Sequence, residues 1–287
     1  MRRRSFVFGS LAVGVRAVAA PPPQRIVSVA PTVTEMLYGI GAFDRVVAVT
    51  EYCTYPPEAK ALPKVGGWAT PSIERIAGFQ PGLVAFTEVQ APLLDGPLKK
   101  LGIPTLTARS QTIQDAFNSM GALGSATGTE RGATNLVAQV KAGLDAVRKR
   151  AAGLPHPSVL CIVDRTPGTL RDLYAAIEGS FLAELIVIAG GSVVGGAARG
   201  GYGRISKEAV LTANPDIVLD LMPIQQPGAN PERAWRDLPE LKAVQRGSVH
   251  IVREEYAAHD SQLIAKTAVV FAQLLHPEVP KREWEPR

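Results

Sequence analysis

The sequence predicts two α/β lobes with parallel sheets, joined by a single long α-helix. Three observations lead there. Short apolar runs alternate with helical runs at βαβ spacing in the first part of the chain, and the alternation restarts after residue 155. Between the two stretches, apolar residues recur at helical spacing without a break. Residues 66–84 and 200–218 are also two copies of one pattern. The first reads Gly66-Gly67-Trp68, Ser72-Ile73-Glu74 and Gln80-Pro81-Gly82-Leu83-Val84. The second reads Gly200-Gly201-Tyr202, Ser206-Lys207-Glu208 and Asn214-Pro215-Asp216-Ile217-Val218. A gapless duplication implies two similar lobes that offer an aromatic and a carboxylate at equivalent places.

The elements follow in order. Arg25 to Ala30 is a short apolar strand stopped by Pro31. Thr32 and Glu35 form a capping box that opens a helix through Met36, Leu37 and Ile40, with Gly39 and Gly41 at its end. Val46–Val49, Leu83–Phe86 and Thr105–Thr107 are the next strands. Thr127 and Glu130 make a second capping box, after which Leu136, Val140, Leu144 and Val147 mark one face of a helix. Lys141, Arg148, Lys149 and Arg150 suit its carboxyl-terminal half, and Gly153, Pro155 and Pro157 end it. Such a rod, about 36 Å long at 1.5 Å per residue, suits a strut between lobes. Val159–Val163, Ile217–Leu219 and Val249–Val252 are strands of the second lobe. Phe181–Ala189 is an apolar helix turned off by Gly190-Gly191, and Ser261 caps a last helix that runs to His276. The resulting lobes are 24–126 and 156–277, with the helix at 127–153.

The 287 residues are 46% hydrophobic and 20% charged, a globular composition. Of 31 basic residues, Arg2, Arg3, Arg4 and Arg16 lie in the first twenty, which leaves 27 against 26 acidic ones. The body therefore has no electrostatic case for binding nucleic acid. Residues 1–20 read as a cleavable export signal: a charged start, an apolar stretch from Phe6 to Val15, and small residues at Ala17-Val18-Ala19. Arg3-Arg4-Ser5-Phe6 also resembles a twin-arginine signal. No cysteine stands at the cleavage site to carry a lipid, and no later run is long and apolar enough to span a bilayer. The expectation is a soluble periplasmic monomer. Cys53 and Cys161 fall in opposite halves, and a bridge between them would oppose hinge motion, so both are expected to be free thiols.

Candidate functional residues come in three sets. Ser72 and Ser206 are N-caps, so Glu74 and Glu208 fall in first helical turns, where dipole compensation alone is worth about 0.3–1 kcal/mol. Their recurrence in the duplicated pattern points further, to two carboxylates that meet arginines of a symmetric partner. The aromatics Tyr52, Trp68, Tyr202 and Tyr256 fall in loops beyond strands, where open α/β sheets bind ligands. An aromatic set from both lobes suits a large flat ligand. Among the histidines only His259 lies in such a loop, and one histidine does not make a metal site. No phosphate-binding glycine loop, nucleophile elbow or zinc-binding helix motif occurs, so an enzyme is not expected. Cys53 with His259 is the one nucleophile–base pair an enzymatic reading would have.

Signal, lobe, long helix and lobe, in that order, resemble the helical-backbone class of periplasmic substrate-binding proteins, which serve ABC importers of vitamin B12, haem and ferric siderophores. Ser28-Val29-Ala30-Pro31-Thr32-Val33-Thr34-Glu35 is similar to that class's first strand–turn–helix. Tyr52-Cys53-Thr54-Tyr55-Pro56-Pro57-Glu58-Ala59, Val65-Gly66-Gly67-Trp68, Gly179-Ser180-Phe181-Leu182, Glu184-Leu185 and Gly190-Gly191 resemble its cobalamin-binding branch. The resemblance implies that Glu74 and Glu208 engage arginines of a permease dimer. It also implies that Tyr52, Trp68, Tyr202 and Tyr256 line a corrinoid cleft, with cobalamin as transported ligand and no resident cofactor. Asp164-Arg165-Thr166-Pro167 departs from the pattern and leaves a rival cargo open, since Arg165 can pair a haem propionate or an acidic siderophore. Haem would also need an axial ligand, for which Tyr52 and His259 are the candidates.

Overall fold

Two sheets form, each from strands whose alternate residues face different cores. A computed structural model describes residues 21–195, 200–221 and 231–284. The expected export signal lies outside the described residues. In the amino-terminal lobe, β1 (Ile26–Ser28) leads into α1 (Pro31–Gly39), β2 (Val46–Val49), α2 (Ile73–Gly78), β3 (Leu83–Thr87), α3 (Ala91–Lys100) and β4 (Thr105–Ala108). The strands are all parallel, in the order β2-β1-β3-β4. Ile26 and Ala85 face the inner core, while Val27, Val84 and Phe86 face an outer core with Ile76, Leu94 and Leu98 of α2 and α3.

The second expected capping box is two helix ends instead. Thr127 is the last residue of α4 (Ile113–Thr127), its hydroxyl donating to Leu123 O at 2.7 Å, and Gly128 stops the helix in the left-handed region at φ 67°. A true capping box stands at the other end of α4, between Thr112 and Asp115. The strut, α5 (Glu130–Ala151), therefore begins at Glu130. Its predicted stripe of Leu136, Val140, Leu144 and Val147 is buried.

The carboxyl-terminal lobe contains β5 (Ser158–Asp164), β6 (Tyr174–Ala176), α6 (Phe181–Ile188), β7 (Ser192–Val193), β8 (Tyr202–Arg204), α7 (Lys207–Ala213) and β9 (Ile217–Asp220). α8 (Pro231–Trp235), α9 (Lys242–Gln245), β10 (Val249–Ile251) and α10 (Ile264–Leu275) complete it. Its sheet runs β10-β9-β5-β6-β8, with β7 paired to the start of β5. β10, β9, β5 and β7 are parallel; β6 and β8 add an antiparallel edge that no alternation in the sequence announces.

One inner core runs through both lobes. It joins Val33, Met36 and Leu37 of α1, Phe117 and Met120 of α4, the buried face of α5, Leu185 and Ile186 of α6, and Ile264, Ala268 and Phe271 of α10. The strut is thus embedded in a shared helical layer rather than free between two bodies. A hinge confined to such a layer is stiff, because opening it would expose continuous apolar surface.

The duplicated pattern is duplicated in conformation. Gly66 and Gly200 have φ of 111° and 102°, in the left-handed region that glycine enters freely. Ser72 and Ser206 each accept a hydrogen bond from the backbone N–H three residues on, capping α2 and α7. Gln80 and Asn214 both turn left-handed, at φ 46° and 40°, just before Pro81 and Pro215. β3 and β9 then begin at Leu83 and Ile217.

Candidate functional site

The carboxyl ends of the strands in both sheets point toward one interlobe region. Thr54, beyond β2, donates through Oγ1 to Glu255 Oε2, beyond β10, at 3.1 Å. The N–H of Phe181, at the start of α6, donates to Gln111 O, beyond β4, at 2.7 Å. In open α/β sheets this edge is where ligands sit, above the point where strand order reverses. That point lies between β1 and β3 in the first sheet and between β5 and β9 in the second.

Tyr52, Trp68 and Tyr256 stand beyond these ends, whereas Tyr202 is set back, level with Cys161 within β5. Tyr52 follows β2 and is 50% exposed; Trp68, 36% exposed, sits in the next loop. A Cβ added at Gly67 would stand 3.7 Å from the Tyr52 ring, so the ring lies beside the Trp68 loop. On the second lobe Tyr202 is half-buried at the start of β8 and stacks on Tyr174, with centroids 6.3 Å apart and planes 13° apart. Burial, together with the Asp260 charge, pushes the Tyr202 phenol well above its ordinary range, so it stays neutral. Tyr256 lies half-buried in the helical turn Glu255–Ala258 after β10. The sequence reading missed Val89, 61% exposed directly after β3, and Tyr174, 38% exposed beside the carboxyl end of β5. Val89 was legible as the residue following a strand terminus. Tyr174 lies in the antiparallel edge, which periodicity did not reveal. Thr166, Tyr174 and Arg204 line an open recess of about 510 Å³ there. A larger groove of about 1040 Å³ lies between α4, α5 and α6 and has Phe117 as its aromatic.

Arg165 is not a free cation in this region. Its side chain is buried, with Nε and Nη2 both 2.9 Å from Asp220 Oδ2, while Nη1 donates to Thr169 O at 2.8 Å and Nη2 to Pro231 O at 3.2 Å. Trp235 Nε1 donates to the same Asp220 oxygen at 2.8 Å. The guanidinium is a strut of the lobe wall, and its donors are spent there. Arg204 pairs with Asp172 at 3.0 Å, Arg253 with Glu232 at 3.3 Å, and Arg109 with Asp115 at 3.5 Å. Residues 222–230, beyond β9, contain no charged side chain.

His259 and Glu35 also depart from expectation. Glu35 does not cap α1; it is buried and crosses to the other lobe. Glu35 Oε1 accepts from His259 Nδ1 at 2.7 Å, Oε2 accepts from the Ser261 hydroxyl, and the Glu35 carbonyl accepts from Gln262 Nε2 at 2.8 Å. Thr32, the other half of the expected box, donates to Asp260 Oδ1 at 3.1 Å. Burial pulls the His259 imidazole down, but the Glu35 hydrogen bond and charge outweigh it, so the net displacement is upward. Burial lifts the Asp260 carboxyl to about 7. The segment from residue 259 to 262 is therefore an interlobe clasp on α1, in which His259 is held through Nδ1.

No nucleophile–base pair forms from Cys53 and His259. The Cys53 thiol is buried against Thr34 at 3.1 Å and Thr50 at 3.2 Å, and burial pushes it up, away from the thiolate. Cys161 is a second buried free thiol. Among the described residues no group of acids, histidines and cysteines is placed to hold a metal ion, and no helix is long and apolar enough to cross a membrane. Glu74 and Glu208 are both exposed, in the first turns of α2 and α7. Its hydrogen bonds with Ser206 and the backbone hold the Glu208 carboxyl below the usual range, so it is ionised.

The chain is similar to known proteins over most of its length. It is 26% identical over 266 residues to the uncharacterized ABC transporter substrate-binding lipoprotein YvrC of Bacillus subtilis, covering 90% of this chain and 82% of that one. It is 26% identical over 238 residues to a vitamin B12-binding protein of Vibrio cholerae, covering 82% and 83%. Among solved structures, the periplasmic vitamin B12 binding protein BtuF of Vibrio cholerae superimposes with a TM-score of 0.75 at 23% identity, over 90% of this chain and 98% of that one. A periplasmic haem binding protein from Pseudomonas aeruginosa gives 0.78 at 20% identity, over 90% and 94%. A family model described as "Periplasmic binding protein" matches residues 26–256, and with most of its length so matched the chain belongs to that family.

Proposed function

We propose that this protein captures a corrinoid, vitamin B12 being the closest fit, between its lobes and delivers it to an ABC importer. The observation that carries the reading is the set of exposed aromatic and apolar side chains at the facing strand ends: Tyr52, Trp68 and Val89 from one lobe, Tyr174 from the other. Flat apolar walls with few committed charges grip a large ring system by dispersion and stacking. The 26% identical Vibrio cholerae relative named for vitamin B12 binding supports the same reading. Arg165, enclosed by Asp220 and Trp235, is not available to pair a ligand carboxylate, which lowers the case for a dianionic cargo at that position. Haem remains the second reading because Tyr52 presents an exposed phenol that could serve as an axial ligand.

In this reading residues 1–20 direct export to the periplasm, and the mature chain, a monomer, acts through its lobes 24–126 and 156–277 with no covalent chemistry. Glu74 and Glu208 dock on arginines of the permease dimer. Their exposure, and the matching caps Ser72 and Ser206, give the two lobes equivalent anionic contact points. The test is a titration of the purified protein with cyanocobalamin and, separately, haemin, followed by the visible bands of each ligand and by tryptophan fluorescence. Saturable binding of cyanocobalamin with fluorescence quenching supports the proposal. A Soret shift with haemin alone, lost in Tyr52→Phe, assigns haem instead.

A further inference from the structure

We infer that Gln90 is a positioning residue for ligand capture, acting through Trp68. The inference rests on the reading above that the Trp68 indole forms part of the cleft wall. Gln90 follows β3 and is buried. Its side-chain amide uses both ends. Nε2 donates to Trp68 O at 2.8 Å and to Val29 O at 2.9 Å. Oε1 accepts from Thr87 N–H at 3.2 Å and from Thr87 Oγ1 at 3.3 Å. One side chain thus ties the Trp68 loop to the ends of β1 and β3, the two strands that flank the reversal point of the first sheet.

The loop needs such a tie. Gly66 turns left-handed and pairs with Pro71 in an isolated bridge, closing a tight loop with Trp68 near its tip. A Cβ on Gly66 would stand 2.7 Å from Thr70 O, so the turn admits glycine alone. The carbonyl of Trp68 points inward to Gln90 while the indole stays partly exposed. Two carbonyls demand donors and one N–H demands an acceptor, and a primary amide is the side chain that supplies both. Glutamate of the same shape would place an acceptor against two carbonyl oxygens. Leucine would leave all of them unpaired. A tryptophan fixed before the ligand arrives loses less conformational freedom on binding, which is how preorganisation raises affinity.

The three tryptophans make the test direct. Trp235 and Trp284 are 1% and 4% exposed, so acrylamide quenching in the ligand-free protein reports on Trp68. In Gln90→Glu, quenching rises and the fluorescence anisotropy of the exposed component falls. Affinity for cyanocobalamin, or for haemin if that is the ligand bound, falls by about tenfold. In a Trp68→Ala background the same change costs less than about twofold, because the side chain it positions is gone. Equal losses in both backgrounds, or quenching unchanged in Gln90→Glu, would overturn the inference. If Gln90→Glu does not fold, Gln90→Asn keeps the amide on a shorter arm and predicts the same pattern. Failure of the wild type to bind either ligand would remove the functional reading, while the quenching arm still decides the role of Gln90.

Discussion

Replacing Asp260 by Asn should change how stability depends on pH. In the folded chain burial lifts this carboxyl from 3.8 to about 7, and the Glu35 charge acts in the same direction. The Thr32 hydrogen bond and the His259 charge oppose it without cancelling it. The folded state therefore holds the proton more tightly than the unfolded one. Its stability is full below about pH 4, declines as pH rises toward 7, and levels off above that. At about 1.4 kcal/mol per tenfold in proton affinity, the interval from 3.8 to about 7 is worth about 4 kcal/mol. Asparagine keeps an Oδ1 for the Thr32 hydroxyl and cannot ionise. The difference in unfolding free energy between Asp260→Asn and the wild type, from urea denaturation at a series of pH values, should rise by about 4 kcal/mol in the variant's favour between pH 4 and 8. His259 retains its partner in both proteins. Its contribution, present below its ordinary 6.5 and lost as pH climbs through its raised folded value, is common to both proteins except for the part that the Asp260 charge supplies. A difference that does not vary between pH 4 and 8 would mean that Asp260 does not hold its proton more tightly in the folded chain.

Arg165→Leu leaves Asp220 buried without its counter-ion and should cost about 3–5 kcal/mol, read as a lowered urea midpoint; a loss of ligand affinity at unchanged stability would return Arg165 to the cleft. Trp68→Ala should weaken corrinoid binding by at least about 2 kcal/mol in calorimetry, the scale of an aromatic hot spot, with little change in stability because the indole is partly exposed. Charge reversal of both Glu74 and Glu208 should abolish transport in reconstituted vesicles and leave ligand affinity unchanged, since both side chains are solvent-exposed at helix starts. Cys53 and Cys161 should resist a thiol reagent in native buffer and react in urea; rapid native labelling would contradict their burial.

Much of this fold is legible because apolar β-branched runs bounded by proline and glycine announce strands. Val46–Val49 falls where the sequence places it, and Leu83–Thr87 and Ser158–Asp164 extend the expected runs by a residue or so at one or both ends. The exposed aromatics Tyr52 and Trp68 are legible for a related reason, since they follow a strand and a glycine turn. Two kinds of feature escape. α4 escapes because its buried face mixes Ala116, Ser119 and Gly124 with larger residues, which blurs its periodicity. β6 and β8 escape because three-residue strands carry almost no alternation, and their pairing is decided by tertiary contact. The buried acids escape most completely. Glu35 reads as a helix cap beside Thr32, and nothing local reveals that its partners are His259 and Ser261, more than two hundred positions away. Arg165 looks like a ligand contact until Asp220 and Trp235 are seen to enclose it.

Hydrogen exchange with and without saturating cyanocobalamin tests most directly the claim that the facing strand ends hold the ligand. Added protection is expected around Tyr52, Trp68 and Gln90, and around Tyr174 and Tyr256, with none at the helix starts bearing Glu74 and Glu208. Protection confined to the groove between α4, α5 and α6, or absent from either lobe's strand ends, would contradict it.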